Sequence, residues 1–180
     1  QTNLYRADKT SVTGVSDTGT GANTLKTKTV FDATSKQAGE EKQDYSYNFA
    51  VDGTTYVNTT YFWYTGNKRA STALATDALL QTNLYRGNRA APSSQTDLTG
   101  NIQAVTVFDA TGKQVGEEKQ DYQKTYDGKG GTTPISTTYF FYKKLSDGTT
   151  VRASGTTTDD TLLQTNLYRA DKTSVTGVSD

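Results

Sequence analysis

The chain has no cysteine, no histidine and no methionine, and only one tryptophan and two prolines in 180 residues. Each absence removes a class of chemistry. Without cysteine there is no disulfide, no thiolate nucleophile and no sulfur ligand for zinc. Without histidine there is no Ser-His-Asp arrangement and no imidazole base. The missing Cys and Met also leave no sulfur side chain open to oxidation, which suits an exposed, extracellular setting. Charge of one sign is lacking too. Nineteen basic residues balance nineteen acidic ones, which argues against nucleic acid and acidic membrane surfaces, since both reward a basic excess. Mean hydropathy is −0.72, and no apolar run approaches the ~20 residues that cross a bilayer as a helix. No Gly-rich loop followed by Lys-Ser/Thr offers a phosphate cradle.

What is present points to strands. Twelve tyrosines and six phenylalanines stand among many Thr, Gly, Asp and Ser. Thr and Tyr favour strands, whereas Gly, Asp and Asn mark turns. Disordered chains are poor in aromatics, so the chain is expected to fold, and to fold as all-β.

The chain is internally repetitive. Gln-Thr-Asn-Leu-Tyr-Arg occurs at 1–6, 81–86 and 164–169, and Gln1–Asp17 is identical to Gln164–Asp180. Two periods follow from this, 1–80 and 81–163, with 164–180 opening a third. The best-matched block is Thr29–Tyr45 against Thr106–Tyr122, where fifteen of seventeen positions agree. Units of about 80 residues sit near the lower size limit for independent folding. Five to seven short strands per unit, with turns every 8–15 residues, predict two tandem β-sandwich-like or open-barrel domains of antiparallel strands.

Several segments carry specific expectations. Leu79–Arg86 reads as one strand across the repeat boundary, with Leu80, Thr82 and Leu84 on one face and Leu79, Gln81, Asn83 and Tyr85 on the other. Residues 7–25 read as a surface loop in which Val12 and Val15 form a short edge strand. Asp109-Ala-Thr-Gly-Lys reads as a hairpin loop with a residue in the left-handed region, and Ser35 replaces that Gly in the first repeat. The return strand is expected from Gln37 to Phe49, with a bulge at Gly39 and likewise at Gly116. Tyr61–Tyr64 and Tyr139–Tyr142 place four aromatics in a row and load both faces of a strand.

No catalytic residues are expected. Glu40-Glu41 and Glu117-Glu118 point to opposite faces of a strand, so neither pair acts as acid and base together. No cofactor is expected; Asp147, Asp159 and Asp160 are the candidate oxygen ligands for calcium. Lys26, Lys28 and Lys42 read as surface lysines, with a Lys–Asn isopeptide link as the alternative. Tyr61, Trp63, Tyr139 and Phe141 are the candidate ligand-binding residues, because aromatic faces stack on sugars. Leu80, Leu84, Leu163 and Leu167 are the candidate residues of an inter-repeat strand that completes a neighbour's sheet, as in donor-strand complementation.

Near-identical, cysteine-free, Thr/Gly/Asp-rich repeats without catalytic residues resemble the repeat region of a bacterial cell-surface adhesin or stalk. The segment Thr106-Val-Phe-Asp-Ala-Thr-Gly-Lys also looks similar to strand–turn–strand segments of flagellar hook and filament outer domains. The first resemblance implies a non-catalytic, extracellular spacer that projects a binding region. Its partners would be neighbouring repeats, with host or environmental glycans or proteins as ligands in the alternative. The second implies a subunit segment of a flagellar- or pilus-like filament.

Overall fold

The Thr- and Tyr-rich stretches become strands and the Gly- and Asp-centred stretches become turns in a computed structural model that describes residues 1–5, 25–34 and 36–171. The strands are β1 (Thr2–Tyr5), β2 (Leu25–Asp32), β3 (Lys42–Phe49), β4 (Tyr56–Tyr64), β5 (Leu79–Arg86), β6 (Ile102–Asp109), β7 (Lys119–Thr125), β8 (Ser136–Lys143), β9 (Thr150–Arg152) and β10 (Thr161–Arg169). One turn of 3-10 helix, Ala153–Gly155, is the sole helical element among the described residues. Val12, Val15 and Ser35 lie outside the described residues. Gly112, the counterpart of Ser35, sits at φ +69° as the hairpin pattern requires.

The all-β, antiparallel expectation holds, but the architecture differs from two sandwiches. All ten strands belong to one open sheet in the order β1-β2-β3-β4-β5-β6-β7-β8-β10, with β9 added to β8. Every neighbour is antiparallel. The two repeats meet in β5, which pairs with β4 of the first repeat and β6 of the second. The boundary between residues 80 and 81 therefore falls inside a strand. The three copies of Gln-Thr-Asn-Leu-Tyr are equivalent strands, β1, β5 and β10.

Register assigns the two faces of the sheet. One face carries Tyr45 and Tyr47 of β3, Tyr61 and Trp63 of β4, Gln81, Asn83 and Tyr85 of β5, Val105 of β6, and Tyr139 and Phe141 of β8. Loops fold over this face. Tyr61, Tyr85, Ile102, Val105 and Tyr126 are buried together, with Tyr45, Val107 and the loop residue Leu98 packed against them. The opposite face is mostly hydroxyl and amide. Thr27 donates to Asn48 (2.8 Å) and Asn48 to Asn58 (2.7 Å), while Thr29 meets Ser46 at 3.1 Å and Gln123 donates to Thr106 (2.9 Å). These cross-strand pairs are the sheet's own stabilising units, and among the described residues no second sheet lies over them.

Bulges refine the register. Val30 pairs with Tyr45 and Phe31 with Gln43, so Asp44 is the extra residue of β3; Asp121 is its counterpart in β7. The expected bulges at Gly39 and Gly116 are instead turns before the strand, at φ +92° and +93°, and β3 begins at Lys42 rather than Gln37. Leu80 is a further extra residue, since Trp63 pairs with Gln81 and Tyr64 with Leu79. That slip moves Leu79 off the Gln81–Tyr85 face and against Phe62, Tyr64, Ala70 and Ala73.

The repeated strand is polar where it is most buried. Asn83 and Tyr85 are fully buried, and their partners are backbone groups of the 87–101 loop. Asn83 Nδ2 donates to Gln95 O (3.0 Å), Gln81 Nε2 also donates to Gln95 O (2.7 Å), and the Tyr85 hydroxyl donates to Asp97 O (2.6 Å). A buried carbonyl left without a donor costs about 1–3 kcal/mol. Tyr85→Phe should therefore destabilise the chain by about 1–3 kcal/mol, read as a lower urea midpoint at unchanged slope. An unchanged midpoint would show that this hydroxyl does not hold the loop.

Candidate functional site

The residues that recur at fixed geometry in both repeats are anchors between sheet and loops. The bulge at Asp44 turns its carboxylate out of the strand's alternation, as bulges do. Its Oδ1 accepts from Arg69 Nη2 at 2.7 Å. The Arg69 guanidinium lies 4.5 Å from the Tyr61 ring centre and 5.3 Å from that of Trp63. The second repeat reproduces this. Asp121 Oδ1 is 2.7 Å from Arg152 Nη2, and the guanidinium lies 4.1 Å from Tyr139 and 6.0 Å from Phe141. Cation–π attraction over a partly desolvated ring adds about 1–2 kcal/mol.

Four lysines act as pegs. Lys36 and Lys113 span their hairpin loops, donating to Asp32 and Asp109, and reach across to Ala70 O (2.9 Å) and Ala153 O (3.0 Å). Lys42 donates to Ala75 O (2.9 Å) and Asp77 O (2.8 Å); Lys119 donates to Thr158 O (2.8 Å) and Asp160 O (3.0 Å). Lys42 is thus buried, 7% exposed, and not the surface lysine its sequence context implied. Its amine faces backbone carbonyls and not an Asn side chain. Burial pushes its pKa down, against the pull of Glu118 and Asp77.

The four aromatics singled out as ligand faces are placed under these anchors. Tyr61, Trp63, Tyr139 and Phe141 are 3%, 1%, 3% and 1% exposed, so Arg69 and Arg152 occupy the position a stacking ligand would need. Of the inter-repeat leucines, Leu80 and Leu84 are half-buried, whereas Leu163 and Leu167 are exposed. Across the seam, Leu84 pairs with Thr60, and Tyr61 packs on Tyr85 and donates its hydroxyl to Arg89 O. Asp160 spends its carboxylate on Leu145 N (2.7 Å) and Thr157 N (2.8 Å), and Asp147 accepts from Thr149 N (2.8 Å). Among the described residues no group of three or more acidic side chains gathers as metal ligands.

Composition gave no hint of the arginines and lysines, because charged residues on strands and loops ordinarily face water. One signal was available. Arg-Ala-Ser recurs at 69–71 and 152–154 although the second repeat carries five extra residues just before it. Those residues lengthen a hairpin into β9, and the tripeptide still lands on the same aromatic pair: Tyr64 bridges Lys68 as Tyr142 pairs with Val151.

Beside the Asp44–Arg69 pair lies an open cleft of about 470 Å³. It is walled by Tyr45 and Tyr47 of the first repeat and by the 88–91 segment after β5. No family model matches the chain, and neither a curated protein nor a solved structure is significantly similar to it.

Two expectations follow. Lys42→Met leaves two buried carbonyls without a donor and should cost about 2–4 kcal/mol, lowering the melting temperature by several degrees more than Lys26→Met does. The pH profile should be flat between about 5 and 9, since no histidine titrates there. Burial pushes Tyr61, Tyr126 and Tyr142 up to about 12. Above pH 10 the unfolded chain releases these protons while the fold retains them, so stability should fall between pH 10 and 12. Hydrogen bonds, chiefly from Lys68 and Thr99, hold the carboxyls of Asp77 and Asp97 below the usual carboxylate range. Their contribution is present above pH 4 and is lost below it. A melting temperature that moved between pH 6 and 8 would overturn this scheme.

Proposed function

We propose that the chain is a non-catalytic structural module, a spacer from the tandem-repeat region of an extracellular surface protein or fibre. One observation carries this: β5 is hydrogen-bonded on one edge to the first repeat and on the other to the second. Repeats joined this way are not beads on a linker. Each added copy of Gln-Thr-Asn-Leu-Tyr-Arg turns a sheet edge into a sheet interior and extends the same hydrogen-bonded ladder. Stability then grows as a sum of unit and neighbour terms, as in other quasi-one-dimensional proteins. The buried side chains that recur in both repeats are spent on holding loops to the sheet, which supports a role in shape. The bacterial cell surface fits the same reading, with neighbouring repeats as the partners.

Geometry gives a length test. Each repeat contributes four long strands, β1–β4 and β5–β8, so it should advance the array by about 19 Å at ~4.8 Å per strand. An independent globular unit of 80 residues would add about 30 Å. Small-angle scattering on chains of two, four and six repeats should show a rod growing by about 19 Å per repeat, with melting temperature rising along the series. Growth near 30 Å with constant melting temperature would mean separate domains and would overturn the shared-sheet spacer.

A further inference from the structure

We propose that the cleft at the first repeat junction is a binding site for a neutral oligosaccharide. It goes beyond the spacer reading, and either can fail without the other. The cleft has a wall from each repeat. Tyr45 and Tyr47 stand on β3 with ring centres 5.0 Å apart and planes inclined by 55°, and both are half-buried. Opposite them, Asn88 belongs to the segment that follows the shared strand, and Ser71 to the loop that carries Arg69.

What marks the cleft is uncommitted polarity. The buried tyrosine hydroxyls nearby are occupied: Tyr61 donates to Arg89 O, Tyr64 to Gln43 O and Tyr85 to Asp97 O. Among the described residues, the hydroxyls of Tyr45, Tyr47 and Ser71 and the amide of Asn88 make no hydrogen bond to the protein. Each of these groups can donate and accept. Tyrosine ring surface flanked by such groups matches a pyranose, whose C–H face is apolar and whose hydroxyls donate and accept in turn. The volume, about 470 Å³, lies within the range of small-molecule sites.

Charge narrows the class. The cations at the cleft are matched, Arg69 by Asp44 at 2.7 Å and Arg89 by Asp97 at 3.6 Å. No spare positive charge is left for a uronate, a sialate or a phosphate. A proline-rich peptide also docks on tyrosines, but its backbone offers mainly acceptors and leaves the acceptor atoms of Asn88 and Ser71 unmatched.

The second junction supplies an internal control. There Lys124 stands at the position of Tyr47 and Asp171 at that of Asn88, and the two join in an ion pair of 2.8 Å. Both junction residues differ together between the two junctions, a neutral couple at the first and a closed salt bridge at the second. One open site per 180-residue chain is therefore expected.

The test is NMR and calorimetric titration of the whole 180-residue chain with maltohexaose, cellohexaose and N-acetylchitohexaose, beside sialyllactose and decaproline. At least one neutral oligosaccharide should saturate at one site with a Kd of about 1 mM or tighter and shift the ring resonances of Tyr45 and Tyr47. The double variant Tyr47→Lys/Asn88→Asp copies the second junction and should keep its melting temperature while weakening binding at least roughly tenfold. Tyr47→Ala, at a half-exposed position, is a second variant that should weaken it comparably. No binding by any neutral sugar overturns the proposal. So does sugar binding that survives both variants, or saturation by sialyllactose or decaproline alone.

Discussion

A single sheet has two faces, and in this one the burying is done, among the described residues, by the loops that connect its own strands, chiefly over the Tyr61–Tyr85 face. That constraint shapes the rest of the molecule. A loop laid on a sheet brings backbone N–H and C=O groups into burial, and each needs a partner. The partners must come from the strands beneath. This is why the most buried residues of the shared strand are Asn83 and Tyr85 and not leucines. It is also why lysines turn inward, Lys42 buried and Lys36, Lys113 and Lys119 half-buried: each extends its ammonium group to carbonyls of the loops that follow β4 and β8. A mean hydropathy of −0.72 is compatible with a folded chain because much of the interior is hydrogen-bonded polar surface together with tyrosine rings.

The unit that repeats is a set of anchors more than a length of chain. Loops differ by three residues after the shared strand and by five before Arg-Ala-Ser. Despite this, the Asp–Arg pair has the same 2.7 Å separation in both repeats. Tyr64 and Tyr142 both donate to the carbonyl just before the bulge, at 2.8 Å. Insertions are absorbed where the chain turns back on itself, as in β9, and the anchored residues keep their register. Loop-closure cost rises only slowly with length, so such insertions disturb little as long as both ends stay pinned.

Much of the fold was legible in the chain and the rest was hidden for identifiable reasons. Strand identity followed from Thr/Tyr enrichment and from turn sequences such as the one at Gly112, which sits at positive φ. The crossing of the repeat boundary by Leu79–Arg86 was legible as well. The number of layers was not. Tyr45/Tyr47 alternating with Ser46/Asn48 signals a strand with one covered face, but period-two patterning is silent on whether a sheet or a loop does the covering. Bulges at Asp44, Leu80 and Asp121 insert one residue without any compositional mark, and each shifts the face of what precedes it. For the candidate site, the aromatic row drew attention to β4 and β8, whereas the rings of the proposed cleft stand on the neighbouring strand β3. Tyr61 and Trp63 lie under Arg69, and the rings left at the cleft are Tyr45 and Tyr47, one strand away.

An open sheet with long ladders carries a hazard, because exposed strands invite stacking and edge pairing. The open face meets this with chemistry. Thr27, Asn48 and Asn58 bond one another across three strands, as do Thr29 and Ser46 across two. The polar row thus presents satisfied amides and hydroxyls, not a contiguous apolar patch of the kind that drives association. Edges are handled by the repeat itself. Of the three copies of this strand, β5 is paired on both sides, while β1 and β10 end the sheet. Continuity of hydrogen bonding through β5 makes bending between units a deformation of a sheet, not rotation about a linker. That property follows from placing the boundary between the repeats inside a strand paired on both sides.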